Sequence, residues 1–254
     1  MPQVFDAVAS NFDRFRALPG GVPEAIRSSI FAATRVPSPA KVLDLGAGTG
    51  RIGKAFIAAG DHYAGIDTSI AMLREFQATA KQGILAQAEG SQLPFRDGSF
   101  DLVLLIHVLS GTGEWRPIVE ESRRVVRAAG AVVVGHTKRS ESGIDGQLKR
   151  KLKSILQEMG VPWHRPAESR NDALAWLESH SIRSAHSQAS SWVARTSAQD
   201  FMMRHRSGAR FVALPVPVQE LALQKLSEWA GKTFGSLEAV FDEQHSFELD
   251  IFEF

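Results

Sequence analysis

The chain has 254 residues, 44% hydrophobic and 22% charged, with 29 Lys and Arg against 28 Asp and Glu and no cysteine. At ~150 residues per domain, that length allows one large domain or two small ones, with apolar side chains enough for a sizeable core, which excludes a disordered chain. The missing thiols exclude a disulfide framework, a Cys-ligated zinc or iron–sulfur site and a cysteine nucleophile, and a net charge of +1 gives no overall basic field for nucleic acid.

Met1 to Gly20 mixes Asp6, Asp13, Arg14 and Arg16 with apolar residues and has no apolar leader core. No run approaches the ~18 uninterrupted apolar residues of a membrane helix, so a cytoplasmic protein is expected. From residue 41 to 136 strands and helices alternate, the pattern of a parallel sheet covered on both faces. Val42 to Leu45 is a short strand ending in glycines. Ile52, Ala55, Phe56 and Ala59 then repeat at helical spacing until Gly60. His62 to Ile66 is the second strand, followed by a helix with Met72, Leu73, Phe76 and Ala80 on one face and Thr68 or Ser69 at its cap. Ile84 to Ala88 is the third strand. Leu102 to Ile106, apolar without interruption, is predicted as a central strand buried on both faces. A helix with Trp115, Ile118, Val119, Ser122 and Val126 inward leads to a fifth strand, Ala131 to Val134.

Beyond His136 the text becomes a basic amphipathic helix (Leu148, Leu152, Ile155, Leu156, Met159), a Gly160-Val161-Pro162 break and a second helix around Ala173 to Leu177. The segment 138–182 is expected to be a helical cap over one end of the sheet. Phe247, Leu249 and Ile251 alternate with Glu248 and Asp250, predicting a half-exposed last strand, with a phase slip at Phe252.

The chemistry-bearing stretch is Leu43-Asp44-Leu45-Gly46-Ala47-Gly48-Thr49-Gly50-Arg51. Glycines at a strand end before a helix let the backbone turn tightly and approach a ligand with no Cβ between, while the helix N-terminus offers free N–H groups. A dinucleotide fingerprint fits poorly because the third glycine comes at 50 and position 51 is Arg, and no Gly-Lys-Ser/Thr follows for a P-loop. Asp67, 21 residues after Gly46 at the second strand's end, is placed to accept both ribose hydroxyls of a nucleoside.

These motifs resemble the class I S-adenosylmethionine-dependent methyltransferases, specifically the small-molecule group called methyltransferase type 11. Residues 42–50 resemble the family's first motif and Gly-Ile-Asp at 65–67 its second. Leu-Pro-Phe-Arg-Asp-Gly-Ser-Phe-Asp at 93–101 and the stretch Glu121 to Gly130 are similar to its later segments. The resemblance implies a Rossmann-like doubly wound, seven-stranded, mostly parallel sheet with an antiparallel C-terminal strand. On it, 1–40 is an N-terminal helical segment, 41–136 the cofactor-binding core, 138–182 the cap insertion, and 183–254 completes the sheet in one domain.

It also implies S-adenosylmethionine as cofactor, with S-adenosylhomocysteine as product. Gly46, Ala47 and Gly48 would pass beneath its methionine part, with Asp44 supporting the loop. Asp67 would hold the ribose, Thr68 and Met72 flank the adenine, and Glu89, with Gly90 and Ser91 beside it, face the adenine amino group. Ile106 and His107 would lie near the methionine end. Glu89 departs from the usual Asp, and Ala128-Ala129 from the usual Pro-Gly. Phe12, in Phe12-Asp13, resembles an aromatic that covers the cofactor, though a staple onto the sheet is an equal reading.

Methyl transfer to a small molecule is therefore expected, with His107 the best-placed base for a hydroxyl or amine acceptor, or a strand-end hydrogen-bonding residue. Trp163, His164, Trp176 and Trp192, with Phe12 and the segment from Trp192 to Arg210, are candidates to line the acceptor pocket. No nucleic-acid partner and no metal are expected. A cofactor-binding protein without transferase activity and a nicotinamide-dependent oxidoreductase are the competing readings.

Overall fold

Leu102, Leu104 and Ile106 point to one face of a sheet and Val103 and Leu105 to the other, and all five are buried. That two-sided burial is why this strand carries no polar residue past Asp101. In the computed structural model, residues 6, 9–80, 82–109, 114–161, 166–206 and 208–254 are described, apart from the side chains at 10, 11, 166–169, 209 and 210. Seven strands form one sheet: β1 (Lys41–Leu45), β2 (His62–Asp67), β3 (Ile84–Gln87), β4 (Phe100–Ile106), β5 (Val126–Arg139), β6 (Arg183–Thr196) and β7 (Phe241–Glu253). Their spatial order is β3-β2-β1-β4-β5-β7-β6. The first five are mutually parallel, and β7 runs antiparallel to both β5 and β6.

Helices in chain order are α1 (Ala9–Phe12), α2 (Val22–Ala33), α3 (Gly53–Ala58), α4 (Ile70–Thr79), α5 (Trp115–Val125), α6 (Ile144–Glu158), α7 (Pro166–His180), α8 (Ala198–Arg206), α9 (Ala209–Val212) and α10 (Val216–Phe234), with a 3-10 turn at Asp13–Phe15. In α2 the buried stripe Val22, Ile26, Ile30 recurs every four residues and packs with Phe56 of α3 against Val42, Leu102, Leu104, Val133 and Leu249. Each such fully buried aliphatic or aromatic side chain contributes roughly 1.5–3 kcal/mol. The other face is covered by Val119 and Val125 of α5 and by Ala173 and Leu177 of α7. No helix among the described residues is long and apolar enough to cross a membrane.

Two expectations change. The segment 138–182 does not act as one cap: α6 joins α8, α9 and α10 around Leu148, Leu152, Phe201, Phe211 and Leu226, while α7 lies flat on the sheet as a crossover helix. Nor is β7 half-exposed. It is an interior strand with Phe247, Leu249 and Ile251 on one face and Phe252 on the other, paired without a bulge to β5. Phe252 thus breaks the alternation because both faces of β7 are covered. Glu248 is buried and Asp250 nearly so, because Arg170 of α7 reaches Asp250 Oδ2 at 2.6 Å and His186 of β6 sits 2.8 Å from Asp250 Oδ1 and 3.2 Å from Glu248. Charges with partners across two strands fit a covered face; the alternation alone reads as solvent.

Removing one member of that cluster leaves a charge stranded. Asp250→Ala is expected to lower the unfolding free energy by about 2–3 kcal/mol in a urea titration. Glu120→Ala, which breaks an exposed pair 3.8 Å from Arg116, should cost under about 0.5 kcal/mol.

Candidate functional site

The strand order reverses between β1 and β4, whose carboxyl ends open a crevice, the place where open α/β sheets bind ligands. Gly46 continues β1 and His107 continues β4, so the glycine loop and the histidine flank the crevice. Gly46 and Ala47 donate to the Ile66 carbonyl at 2.8 and 2.9 Å, which locks the turn against β2. Gly46 and Gly48 have φ of 74° and 56°, the left-handed region that side chains resist. A Cβ on Gly48 would come no nearer than 3.9 Å to any protein atom, so that glycine faces open space. Gly50, by contrast, would place its Cβ 2.3 Å from the Phe76 ring. The three glycines of the motif therefore have different duties.

Asp67 ends β2 and ties the crevice together: Oδ2 accepts from Gly48 N at 2.9 Å and Oδ1 from Ser69 N at 2.9 Å. A carboxylate offers about four lone-pair sites, so the amides do not use up its capacity to accept from a ligand hydroxyl. Burial raises the Asp67 pKa, against the lowering effect of the Ser69, Gly48 and Thr68 amides, while nearby Asp6 raises it further. Ser69 caps α4 through Met72 N at 3.2 Å and donates its hydroxyl to Asp6. Thr68 is half-buried and its carbonyl accepts from Gln87 Nε2 at 2.8 Å. Ala88 N donates to the Asp67 carbonyl, so Glu89, Gly90 and Ser91 leave β3 alongside Asp67, with Glu89 and Ser91 exposed.

Three residues differ from a simple lining role. Asp44 is buried beneath the loop with Oδ2 accepting from the Tyr63 hydroxyl at 2.6 Å. Met72 is 2% exposed and packs inside α4. Ile106 is buried at the end of β4, so only its backbone borders the crevice. Of the tryptophans, Trp163 lies outside the described residues, as does His164. Trp176 stacks on His180 at 4.0 Å on the α7 face, and Trp192 meets His245 at 5.8 Å on the crevice face.

His107 has φ 60°, donates its N–H to the Gly135 carbonyl at 2.8 Å and brings Nε2 to 3.5 Å from the Thr137 hydroxyl. It is accessible although protein surrounds it, the position of a residue on a cleft floor. Desolvation there pushes its pKa down to about 3, with Arg51, Arg139, His136 and Arg16 adding to the effect. Its ring is accordingly neutral at neutral pH. Phe12 stands between the guanidiniums of Arg16 and Arg51, 4.9 and 5.2 Å from its ring centre. Asp13 Oδ1 accepts from the Thr49 hydroxyl at 2.6 Å, fastening the N-terminal segment to the loop.

Sequence reasoning assigned no site role to Tyr63 or Arg139, named Asp6 only among the charges of the first twenty residues, and used Arg51 only as an argument against a dinucleotide fingerprint. Tyr63 had a signal: it is the chain's one tyrosine, and Gly53 is a glycine because a Cβ there would meet the Tyr63 hydroxyl at 2.3 Å. A depression of about 110 Å³ between α4 and β3, lined by Leu73, Arg74, Gln77 and Leu85 among others, shares no residue with the glycine loop.

Burial pushes the Asp44 carboxyl up to about 7, against the hydrogen bond from Tyr63, while Asp67 adds to the rise. The folded chain thus holds a proton between pH 4 and 7 that the unfolded chain has released, and stability contributed by this group falls as pH rises through that window. Asp44→Asn removes the titration and keeps an oxygen for Tyr63. Its unfolding free energy should gain on the wild type by up to about 4 kcal/mol from pH 4 to pH 7 in urea titrations at several pH values.

The sequence pattern of the methyltransferase domain family matches residues 43–134. A demethylmenaquinone methyltransferase from Thermotoga maritima is 29% identical over 135 residues, covering 52% of this chain and 59% of that protein. One from Thermobifida fusca is 30% identical over 181 residues, 68% of this chain and 75% of that protein. The chain spans about six tenths of the length of the first curated relatives it matches. Among solved structures, the Bacillus subtilis YcgJ protein superposes with a TM-score of 0.58 at 18% identity, covering 91% of this chain and 98% of that one. A Bacillus halodurans C-125 protein gives 0.59 at 16% identity, covering 92% and 99%. Sheet order, glycine loop and sequence match agree: the chain belongs to the class I S-adenosylmethionine-dependent methyltransferases.

Proposed function

We propose that this protein transfers the methyl group of S-adenosylmethionine to a small-molecule acceptor. The observation that carries the reading is the pair formed by Gly48, whose missing Cβ leaves open space, and Asp67, whose carboxylate beside it keeps acceptor capacity after its bonds to the loop and α4 amides. The residues fit the group: a carboxylate at the end of β2 suits a ribose diol, and the turn at 46–48 lets a chain of atoms pass against bare backbone. Glu89, Gly90 and Ser91 would border the adenine, and Gly46, Ala47 and His107 the methionine end. Asp44 and Met72 would act from beneath, Asp44 by fixing the loop through Tyr63 and Met72 by filling α4. A demethylmenaquinone methyltransferase name belongs to the relatives; the family match ends at residue 134, before the segments that would face an acceptor.

The bound cofactor would supply an electrophilic methyl on a positively charged sulfur. This chain's residues have to align the acceptor and exclude water, effects that can lower a barrier by roughly 7–11 kcal/mol without an acid or base. A neutral His107 fits an orienting role, accepting or donating one hydrogen bond beside Thr137. A near-neutral net charge favours a small acceptor over nucleic acid.

Calorimetry with S-adenosylmethionine and S-adenosylhomocysteine is expected to give micromolar-range affinity, weakened at least tenfold by Asp67→Ala. Heat with NADH and none with either of these ligands would instead favour the oxidoreductase reading. The glycines separate binding from folding. Gly48→Ala should fold with a small loss, about 1–2 kcal/mol for the left-handed backbone, yet lose cofactor affinity. Gly50→Ala, driven into the Phe76 ring, should lower the melting temperature sharply whether ligand is present or not.

A further inference from the structure

The crevice face of the sheet continues past His107 onto the strands added beyond β4. Thr137 and Arg139 are two apart on β5 and so share a face about 7 Å apart. Thr137 reaches His107 Nε2, and its cross-strand partner Phe247 packs edge-on to the His107 ring at 5.9 Å. Arg139 pairs in register with His245, which pairs in turn with Trp192 of β6. Four guanidiniums crowd this area, from Arg16, Arg51, Arg139 and Arg204, near enough to Arg16 that the other three disfavour its charge. Three carboxylates face them: Asp13 beside Arg51, and Asp145 and Glu243 beside Arg139.

The other three guanidiniums have structural duties. Arg51 donates to the Arg16 carbonyl, Arg16 to the Arg204 carbonyl at 2.8 Å, and Arg204 to Asp145 Oδ1. Arg139 does not. Its Nε is buried without a hydrogen bond, 3.6 Å from Asp145 Oδ2, beyond bonding distance, while the side chain as a whole is 33% exposed. Glu243 is engaged with His245 at 2.9 Å and with Asp145 N at 3.2 Å. A guanidinium stays charged, so crowding four of them costs stability at every pH unless an anion offsets it. A partly exposed guanidinium whose Nε has no hydrogen bond can grip an oxyanion with two parallel hydrogen bonds.

We propose that the methyl acceptor carries an oxyanion, a carboxylate or a phosphate, that seats on Arg139 and orients the acceptor over His107. This rests on the methyl-transfer reading for its purpose, but the oxyanion site is testable without it. The full chain, with and without saturating S-adenosylhomocysteine, would be titrated with inorganic phosphate, benzoate and the neutral isostere benzamide, following the backbone amide signals of His107, Thr137 and Arg139 by NMR. Saturable millimolar-range binding is expected for phosphate or benzoate and none for benzamide, and whichever anion binds more tightly identifies the group. Arg139→Gln should weaken it at least tenfold, Arg139→Lys by less because charge survives without the fork, and the exposed control Arg150→Gln not at all.

Equal binding of benzamide, an unchanged affinity in Arg139→Gln, or no saturable binding of either anion would overturn the proposal. If Arg139→Gln does not fold, Arg139→Lys and the benzoate–benzamide comparison still decide it. Failure of S-adenosylhomocysteine to bind while an anion does would strike the cofactor reading and leave the oxyanion site standing.

Discussion

A carboxyl buried under a backbone turn is the constraint around which this site is arranged. Asp44 has no cation beside it, only the Tyr63 hydroxyl at 2.6 Å, and that hydroxyl occupies the space where Gly53 would otherwise have a side chain. Gly65 is held to a hydrogen by the Ala47 methyl, 2.9 Å from where its Cβ would be. The glycine loop is therefore specified from below as well as by its own φ angles. Its two anchoring bonds to the Ile66 carbonyl then set where Gly48 meets Asp67. Small changes at Tyr63 or Gly53 would reach a ligand through this stack, although neither residue borders the crevice.

The two faces of the sheet handle charge differently. On the α7 side, Arg170, His136, His186, Asp250 and Glu248 form a network in which cations and anions bond one another directly. On the crevice side, Arg139 has only an ion pair at 3.6 Å with Asp145, whose Oδ1 accepts from Arg204, while Glu243 is bonded to His245. Burial and Arg170 push His136 down to about 4, as burial and the arginines push His107 to about 3, so neither imidazole carries charge at neutral pH. Similar residue types thus give direct charge-to-charge hydrogen bonds on one face and a looser ion pair on the other, with one buried Nε left without a hydrogen bond on each.

Local periodicity made the first half of the fold legible. The unbroken run at Leu102–Ile106 is a strand buried on both faces, as its pattern implied, and the glycine loop follows β1 and Asp67 ends β2 as their positions in the sequence suggest. The second half depends on partners far away. Whether Glu248 and Asp250 face water or Arg170 cannot be read from the alternation of β7, since the deciding arginine comes from α7, 80 residues earlier. The same holds for 138–182, where α6 and α7 carry similar apolar spacing but bury against different neighbours, α10 for one and the sheet for the other. For Asp44 the resemblance implied support of the loop, but its raised pKa could not be read from the sequence, because burial is its largest cause.

The position of β7 orders assembly in time. Strands β1 to β5 pair in parallel, the β1–β4 pair joining residues 60 apart such as Val42 and Leu102, all within the first 139 residues of the chain. β6 has no neighbour in the sheet except β7, which follows it after α8, α9 and α10. Until residues 241–253 slide between β5 and β6, Trp192 and His245 have no fixed place beside Arg139, and β6 remains an open edge. Such non-local pairing is slow relative to helix and crossover formation. The surroundings of Arg139 therefore rest on pairing with the last strand of the chain, whereas the glycine loop and Asp67 rest on strands that precede residue 140.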